Sequence, residues 1–339
     1  MKYKTIACLS FFAALILSST VATACDLCSI YTALDTNKHT AGTTHIGLAE
    51  QFTSFDELRD NGRKVDNVAD QFMRSSITQF FVAHDLTEEF SLQLNLPLIY
   101  RSYRRMEEGA RESGHESGLG DLVLLSRFRP IDMHETDYTF RLELFGGIKL
   151  PTGDSDRLRE ELAEEEEGEH ADLALQNIFK HEGHHHEDEI ASAVHGHDLA
   201  LGSGSVDFPV GASVLGRYGR ALATANVQYI FRTEGRFDYR YANDLNWDTG
   251  IGGFLALDHD YSIGLKVNLS GEYKPEDKHD GESLSDTYTK TLFIGPEVFL
   301  TLGESLSLST ALDLPLDIEN KSLQVAQTSR LRFALTYRL

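Results

Sequence analysis

The chain has 339 residues and a formal net charge of −22, from 53 acidic side chains against 31 Lys and Arg. That acidity disfavours a nucleic-acid partner, whose phosphates require a basic face. A water-soluble core of this size is expected to show clear helical stretches or a multidomain pattern, and the sequence has neither.

The chain opens with the features of a signal peptide. Lys2 and Lys4 precede an apolar run over 6–17, and Ala22-Thr23-Ala24 supplies a small-residue cleavage site. The apolar run is too short for a comfortable transmembrane helix. Removal of residues 1–24 takes away two lysines and shifts the formal charge from −22 to −24. Residues 25–42 are then expected to form a periplasmic N-terminal segment beginning Cys25-Asp26-Leu27-Cys28. Ser29 stands where a haem-attachment motif needs His. A local disulfide, a thiolate metal site and an acylated Cys25 remain as alternatives.

From there to the end, strands follow one another. Phe90, Leu92, Leu94, Leu96, Leu98 and Tyr100 alternate with Ser91, Gln93, Asn95, Pro97, Ile99 and Arg101. Side chains along a strand point to opposite faces, so this run has one oily and one mostly wet face. The pattern recurs over 43–53, 73–84, 119–129, 138–150, 205–217, 221–232, 245–257, 261–273, 288–302, 305–318 and 328–339. Together these predict an all-β fold: a transmembrane, antiparallel, up-and-down barrel over 43–339 with about twelve strands. Glu50 falls on the oily face of the first strand, and a bulge or register shift there would resolve the conflict. Tyr100, Tyr138, Tyr229, Trp247, Tyr261, Tyr273 and Tyr337 fall near strand ends, where interfacial aromatic girdles sit.

Connection lengths orient the barrel. Outer-membrane barrels have short periplasmic turns and longer external loops. The predicted connections alternate in length, which places both termini in the periplasm. The longest, 151–204, is then extracellular. Outer-membrane lipid, the barrel assembly machinery and a small solute are the expected partners.

The wet face carries both signs of charge. Arg101, Asp121, Arg127, Arg141, Glu143, Lys149, Asp207, Arg217 and Arg232 are candidate lumen-lining residues. Asp248, Lys266, Glu272, Glu297, Asp313, Asp317, Arg332 and Arg338 continue the set. These charges either pair across the lumen and plug it or line an aqueous passage. Twelve strands lie between a filled eight-stranded barrel and an open sixteen-stranded porin.

Three glycine-rich strand–loop junctions carry a family resemblance: Gly118-Leu119-Gly120-Asp121, Gly147-Ile148-Lys149-Leu150-Pro151-Thr152-Gly153-Asp154, and Leu201-Gly202-Ser203-Gly204-Ser205-Val206-Asp207. The chain resembles the MetA-pathway phenol-degradation family of outer-membrane, transporter-like barrels. The resemblance implies a barrel that passes small hydrophobic or aromatic molecules. It carries no catalytic residues, and none is predicted here.

The 151–204 loop departs from that family. It holds seven of the fourteen histidines: His170, His181, His184, His185, His186, His195 and His197. Its fifteen acids against three basic residues give it a charge of −12. Imidazoles among carboxylates suit zinc, copper or nickel, so the loop is a candidate divalent-metal tract. Two functions follow from the sequence. The first is a passive channel for a small solute whose loop captures divalent metal. The alternative is a surface metal-binding or metal-sensing protein in which a plugged barrel is only the anchor.

Overall fold

The computed structural model describes residues 39–107, 109–161 and 190–339. The signal segment, Cys25, Cys28, His170, His181, His184, His185 and His186 lie outside the described residues.

Alternation produces the expected strands: β1 (Thr44–Asp60), β2 (Phe72–Asp85), β3 (Phe90–Glu107), β4 (Ala110–Leu119), β5 (Leu122–His134), β6 (Tyr138–Leu150), β7 (Phe208–Tyr218), β8 (Ala221–Phe231), β9 (Asp244–Leu257), β10 (Tyr261–Lys274), β11 (Thr289–Leu302), β12 (Leu306–Asn320) and β13 (Leu323–Arg338). The sheet contains fourteen strands. Two of them, the short Arg63–Lys64 strand and β4, only extend hairpins at the rim, which leaves twelve in the ring. Each ring strand pairs antiparallel with its neighbours, and β13 returns to pair with β1, from His45↔Arg338 to Asp60↔Leu323. Closure removes the edges that an open sheet would present to lipid.

The pleat sorts the side chains as the sequence implies. Leu92, Leu94, Leu98 and Tyr100 of β3 are exposed on the outer wall, while Ser91, Gln93, Asn95 and Arg101 are buried inside. The outer face continues through Leu124, Leu144, Val210, Leu265, Val267, Val298, Leu314 and Leu331.

Three expectations change. First, β1, β3 and β13 overhang the ring. Residues 54–60, 102–107 and 323–327, expected in loops, are strand, and only Lys321 and Ser322 link β12 to β13. The strict long–short rhythm of connections therefore fails at its last step, because a polar hairpin continues the wall past the apolar belt. Second, β4 lies in the expected 102–118 loop. It pairs with the outer half of β3 (Leu98↔Leu119 to Glu107↔Ala110), and β5 then takes over along the inner half (Asn95↔Val123 to Phe90↔Phe128). Third, a register shift between Leu292 and Phe293 opposite Asp317 and Pro315 reverses the pleat of β12. Ile318, expected on the oily face, is buried, and Asp317, expected inside, is exposed.

Glu50 needs no bulge. The β1–β2 ladder is regular there, Glu50↔Thr78. Its carboxylate accepts hydrogen bonds from Ser76 Oγ at 2.6 Å and from Thr78 Oγ1 on the same face of β2.

Candidate functional site: the lumen and its two ends

The ring has two different ends. At one, strands meet in tight turns at 86–89, 135–137, 219–220, 258–260 and 303–305, and both His39 and Leu339 lie there. The other carries the long connections, and one of these folds back inside.

The 190–207 segment occupies the loop end of the interior. Its sequence makes that feasible: Ala191, Ala193, Val194, Leu199, Ala200 and Leu201 are small or apolar, and all except exposed Ala191 are buried. Leu201 packs on inward-facing Ile77 of β2 and Ile99 of β3. Val194 and Leu199 pack with Phe55, Leu58, Met73, Tyr103 and Val325. Polar wall residues satisfy the segment's backbone, as burial requires. Gln71 donates to Ala191 O at 3.0 Å and accepts from Ala193 N at 2.9 Å. Val325 N donates to Ala193 O at 3.0 Å. Arg101 donates to the carbonyls of Asp198 and Ala200.

The descending part, 153–161, packs against the returning part. Asp154 O accepts from Leu201 N and Gly202 N at 2.9 and 2.8 Å. Glu161 accepts from both the backbone N and Nδ1 of His197, at 2.7 and 3.0 Å. His197 sits in a four-residue helix, α1 (Gly196–Leu199), stacks on His195 and Tyr239, and is 3 % exposed. Burial alone would depress its pKa, but Asp198 and Glu161 outweigh that and push it up to about 10. His195 and His197 are thus buried within the folded-in segment, whereas the sequence reading places them on an external tract.

Below the segment lies a cavity of about 220 Å³. The nine predicted lumen residues divide around it. Arg127, Arg141 and Glu143 line it. Arg101, Asp121, Lys149, Asp207 and Arg232 point inward, but the bonds they make are at the loop end. Lys149 Nζ contacts Asp121 at 2.8 Å, Asp207 at 2.9 Å and Ser203 Oγ at 2.9 Å. Arg232 bridges Asp207 at 2.7 Å and Asp244 at 2.6 Å. Arg217 sits at the turn end, where it donates to the carbonyls of Gly219, Glu135 and Thr136. Alternation identifies the face on which a charge lies; it does not reveal what fills the space in front of it.

The cavity walls mix polar and apolar side chains in similar measure, and many of the charges are internally paired. On one side, Arg129 joins Asp85 at 2.9 Å to Glu143 at 3.3 Å, and Arg127 joins Glu143 at 2.9 Å to Gln93 at 2.6 Å. Opposite, Lys266 meets Glu297 at 3.2 Å, and Asp313 receives Arg330 at 3.1 Å and Arg332 at 2.8 Å. Aromatic rings lie flat over inward glycines on the neighbouring strand. A Cβ built on Gly47, Gly211 or Gly264 would fall 2.0–2.3 Å from the rings of Phe81, Phe145 and Phe299. The rings thereby fill the wall and leave the centre free.

Sequence reading missed one cluster. At the turn end, His39 Nδ1 and His45 Nε2 lie 3.0 and 3.3 Å from the same oxygen, Oδ2 of Asp85. All three residues are buried and line the cavity. The only sequence signal is a pair of histidines flanking the turn into β1, and it was masked by the denser histidine tract.

An antiparallel ring of twelve strands, oily outside and charged inside, with short turns at one end and its long connections at the other, defines a transmembrane β-barrel of the outer-membrane type. Among solved structures, the chain is similar to the COG4313 outer membrane channel from Pseudomonas putida F1, at 16 % identity and a TM-score of 0.57, covering 91 % of this chain and 100 % of that one. That likeness shows a barrel fold shared by the two chains. The β domain of the Bordetella autotransporter BrkA (12 % identity, TM-score 0.41, covering 88 % and 100 %) is more distant. So is the translocator domain of NalP from Neisseria meningitidis (11 %, TM-score 0.40, covering 89 % and 90 %). No family model matches the chain, and no curated protein does.

Proposed function

We propose that this barrel is a passive outer-membrane channel for a small solute, with its tight turns in the periplasm and its 151–207 connection forming a constriction from outside. The observation that carries the reading is the cavity of about 220 Å³, hollow and charged, beneath a folded-in segment that hydrogen bonds fix to the wall. A barrel serving only as an anchor has no need of such a space. The similar solved structure is itself a channel. Pairing of most lining charges favours weak ion selectivity, because little uncompensated charge faces the path. Planar-bilayer recording on the purified protein tests the reading: small, weakly selective conductance supports it, and a silent bilayer with folded protein overturns it.

Divalent-metal capture at the outer face is a second proposed role. It rests on the acidic composition of 162–189 and on His170, His181, His184, His185 and His186. Calorimetry with zinc, copper and nickel on the full chain, against a variant lacking these imidazoles, tests it.

A further inference from the structure

We propose that His39, His45 and Asp85 form a binding site for a divalent transition-metal ion at the tight-turn mouth of the lumen. The site is separate from the histidine tract and independent of whether the pore conducts.

The chain's local geometry assembles it. Residues 40–43 make a turn in which Thr43 N donates to Thr40 O at 3.2 Å and Gly42 takes φ +83°. This positive φ suits glycine. Gly42 N then donates to Asp85 O at 2.7 Å, and Asp85 N to Thr43 O at 2.9 Å. These bonds clamp the turn to the end of β2, so His39 before the turn and His45 after it both face Asp85.

The donor atoms converge. Among the described residues, they form a set in which all three lie within 4.8 Å of one another. The contacts to Asp85 Oδ2, 3.0 and 3.3 Å, compare with the separation an ion imposes. Two donors at about 2.1 Å from zinc sit about 3.4 Å apart at the tetrahedral angle. The two imidazole–carboxylate separations therefore fall within a few tenths of an ångström of that spacing.

The surroundings fit a metal carboxylate. Asp85 Oδ1 accepts from Arg129 Nη2 at 2.9 Å, and Arg129 is anchored by Glu143 at 3.3 Å. That support orients the carboxylate and leaves Oδ2 for the imidazoles, as outer partners of metal ligands do. The cluster borders the cavity, so a fourth position opens to solvent. Two imidazoles and one carboxylate suit zinc, copper(II), nickel or cobalt. The hard all-oxygen ions and soft copper(I) prefer other donors. Bound there, the ion would pin the segment before β1 across the mouth.

Cobalt(II) is the probe, titrated into the full-length protein in detergent at neutral pH and followed by its visible d–d bands, with zinc stoichiometry from calorimetry. Wild type is expected to bind one equivalent more than His39→Ala and His45→Gln, and both variants to lose the bands of a four- or five-coordinate nitrogen–oxygen site. Residue 39 precedes β1, so His39→Ala leaves the ring intact, which retained heat-modifiable gel mobility verifies. The triple variant His184→Ala/His185→Ala/His186→Ala should keep the bands. If His39→Ala matches wild type in bands and stoichiometry, or if only the triple variant loses them, the site is refuted and the cluster is hydrogen-bonded only.

Discussion

Arg101 of β3 donates a hydrogen bond to the carbonyl of Ala200 at 3.0 Å, joining the barrel wall to the segment folded into its loop end. The same guanidinium reaches the carbonyl of Asp198. Each charge-assisted bond of this kind contributes roughly 1.5–3 kcal/mol. Arg101→Ala removes both and leaves two carbonyls without this donor. A loss of about 3 kcal/mol raises the population of the opened segment roughly 100-fold, since 1.4 kcal/mol is a factor of ten. Single-channel records of Arg101→Ala should show larger or more frequent open levels, while the ring, held by its own ladders, keeps its unfolding midpoint. Arg101→Lys restores one donor and should fall between. Unchanged conductance in Arg101→Ala would mean that the segment does not limit flow.

The clasp between His197 and Glu161 sets a pH dependence. Burial opposes the imidazolium, but Asp198 and Glu161 hold its pKa at about 10 against an ordinary value of 6.5. A histidine with a raised folded pKa contributes stability that is complete below the unfolded value and is lost as pH rises through the folded one. The segment is thus tightest below about pH 6.5 and loosens toward pH 10. Limited proteolysis in the 151–207 connection should accelerate over that window in wild type. In His197→Gln the rate should already be higher at neutral pH and respond less to alkali, which separates this clasp from tyrosines and lysines that titrate nearby.

The ring was legible because its cause is local. Strict alternation over residues such as Phe90–Tyr100 needs only the period of the pleat, and β6 has the bounds the alternation predicts, Tyr138–Leu150. Where a second force intervenes, the reading shifts. Leu316, the extra residue between the pairs Leu292↔Asp317 and Phe293↔Pro315, reverses β12 beyond it, and nothing in Leu314-Pro315-Leu316-Asp317-Ile318 announces which residue will be the unpaired one. Glu50 shows the converse. Its alternation was right, and the conflict is met by Ser76 and Thr78, hydroxyls whose pairing with it only the register reveals.

The site was less legible for the same reason. That Arg101, Asp121, Lys149, Asp207 and Arg232 face inward follows from the pleat. That they bind a folded-in segment depends on contacts spanning up to 99 positions, such as Arg101 to Ala200. The composition of 190–201 held a clue: a small and apolar run beside an acidic tract is unsuited to an exposed loop. His39, His45 and Asp85 likewise meet only through the turn at 40–43 and the end of β2.

The glycine–aromatic pairs give a test of how the lumen stays open. Gly264 of β10 lies directly opposite Phe299 of β11, and a Cβ at Gly264 would come within 2.0 Å of Phe299 Cζ. The backbone cannot retreat, because β10 is paired on both sides, with β9 and β11. The ring must therefore swing off the wall toward the cavity, which it already lines. Gly264→Ala should lower the unfolding free energy by about 1–3 kcal/mol, the usual cost of overpacking, and reduce single-channel conductance. Phe299→Ala alone removes the ring and leaves the wall thinner. The double variant Gly264→Ala/Phe299→Ala removes the clash and should recover conductance toward wild type. In the double-mutant cycle the two changes are then strongly non-additive. Additive effects, or a conductance that Gly264→Ala leaves unaltered, would show that Phe299 has another way out and that the flat-ring packing does not keep the passage clear.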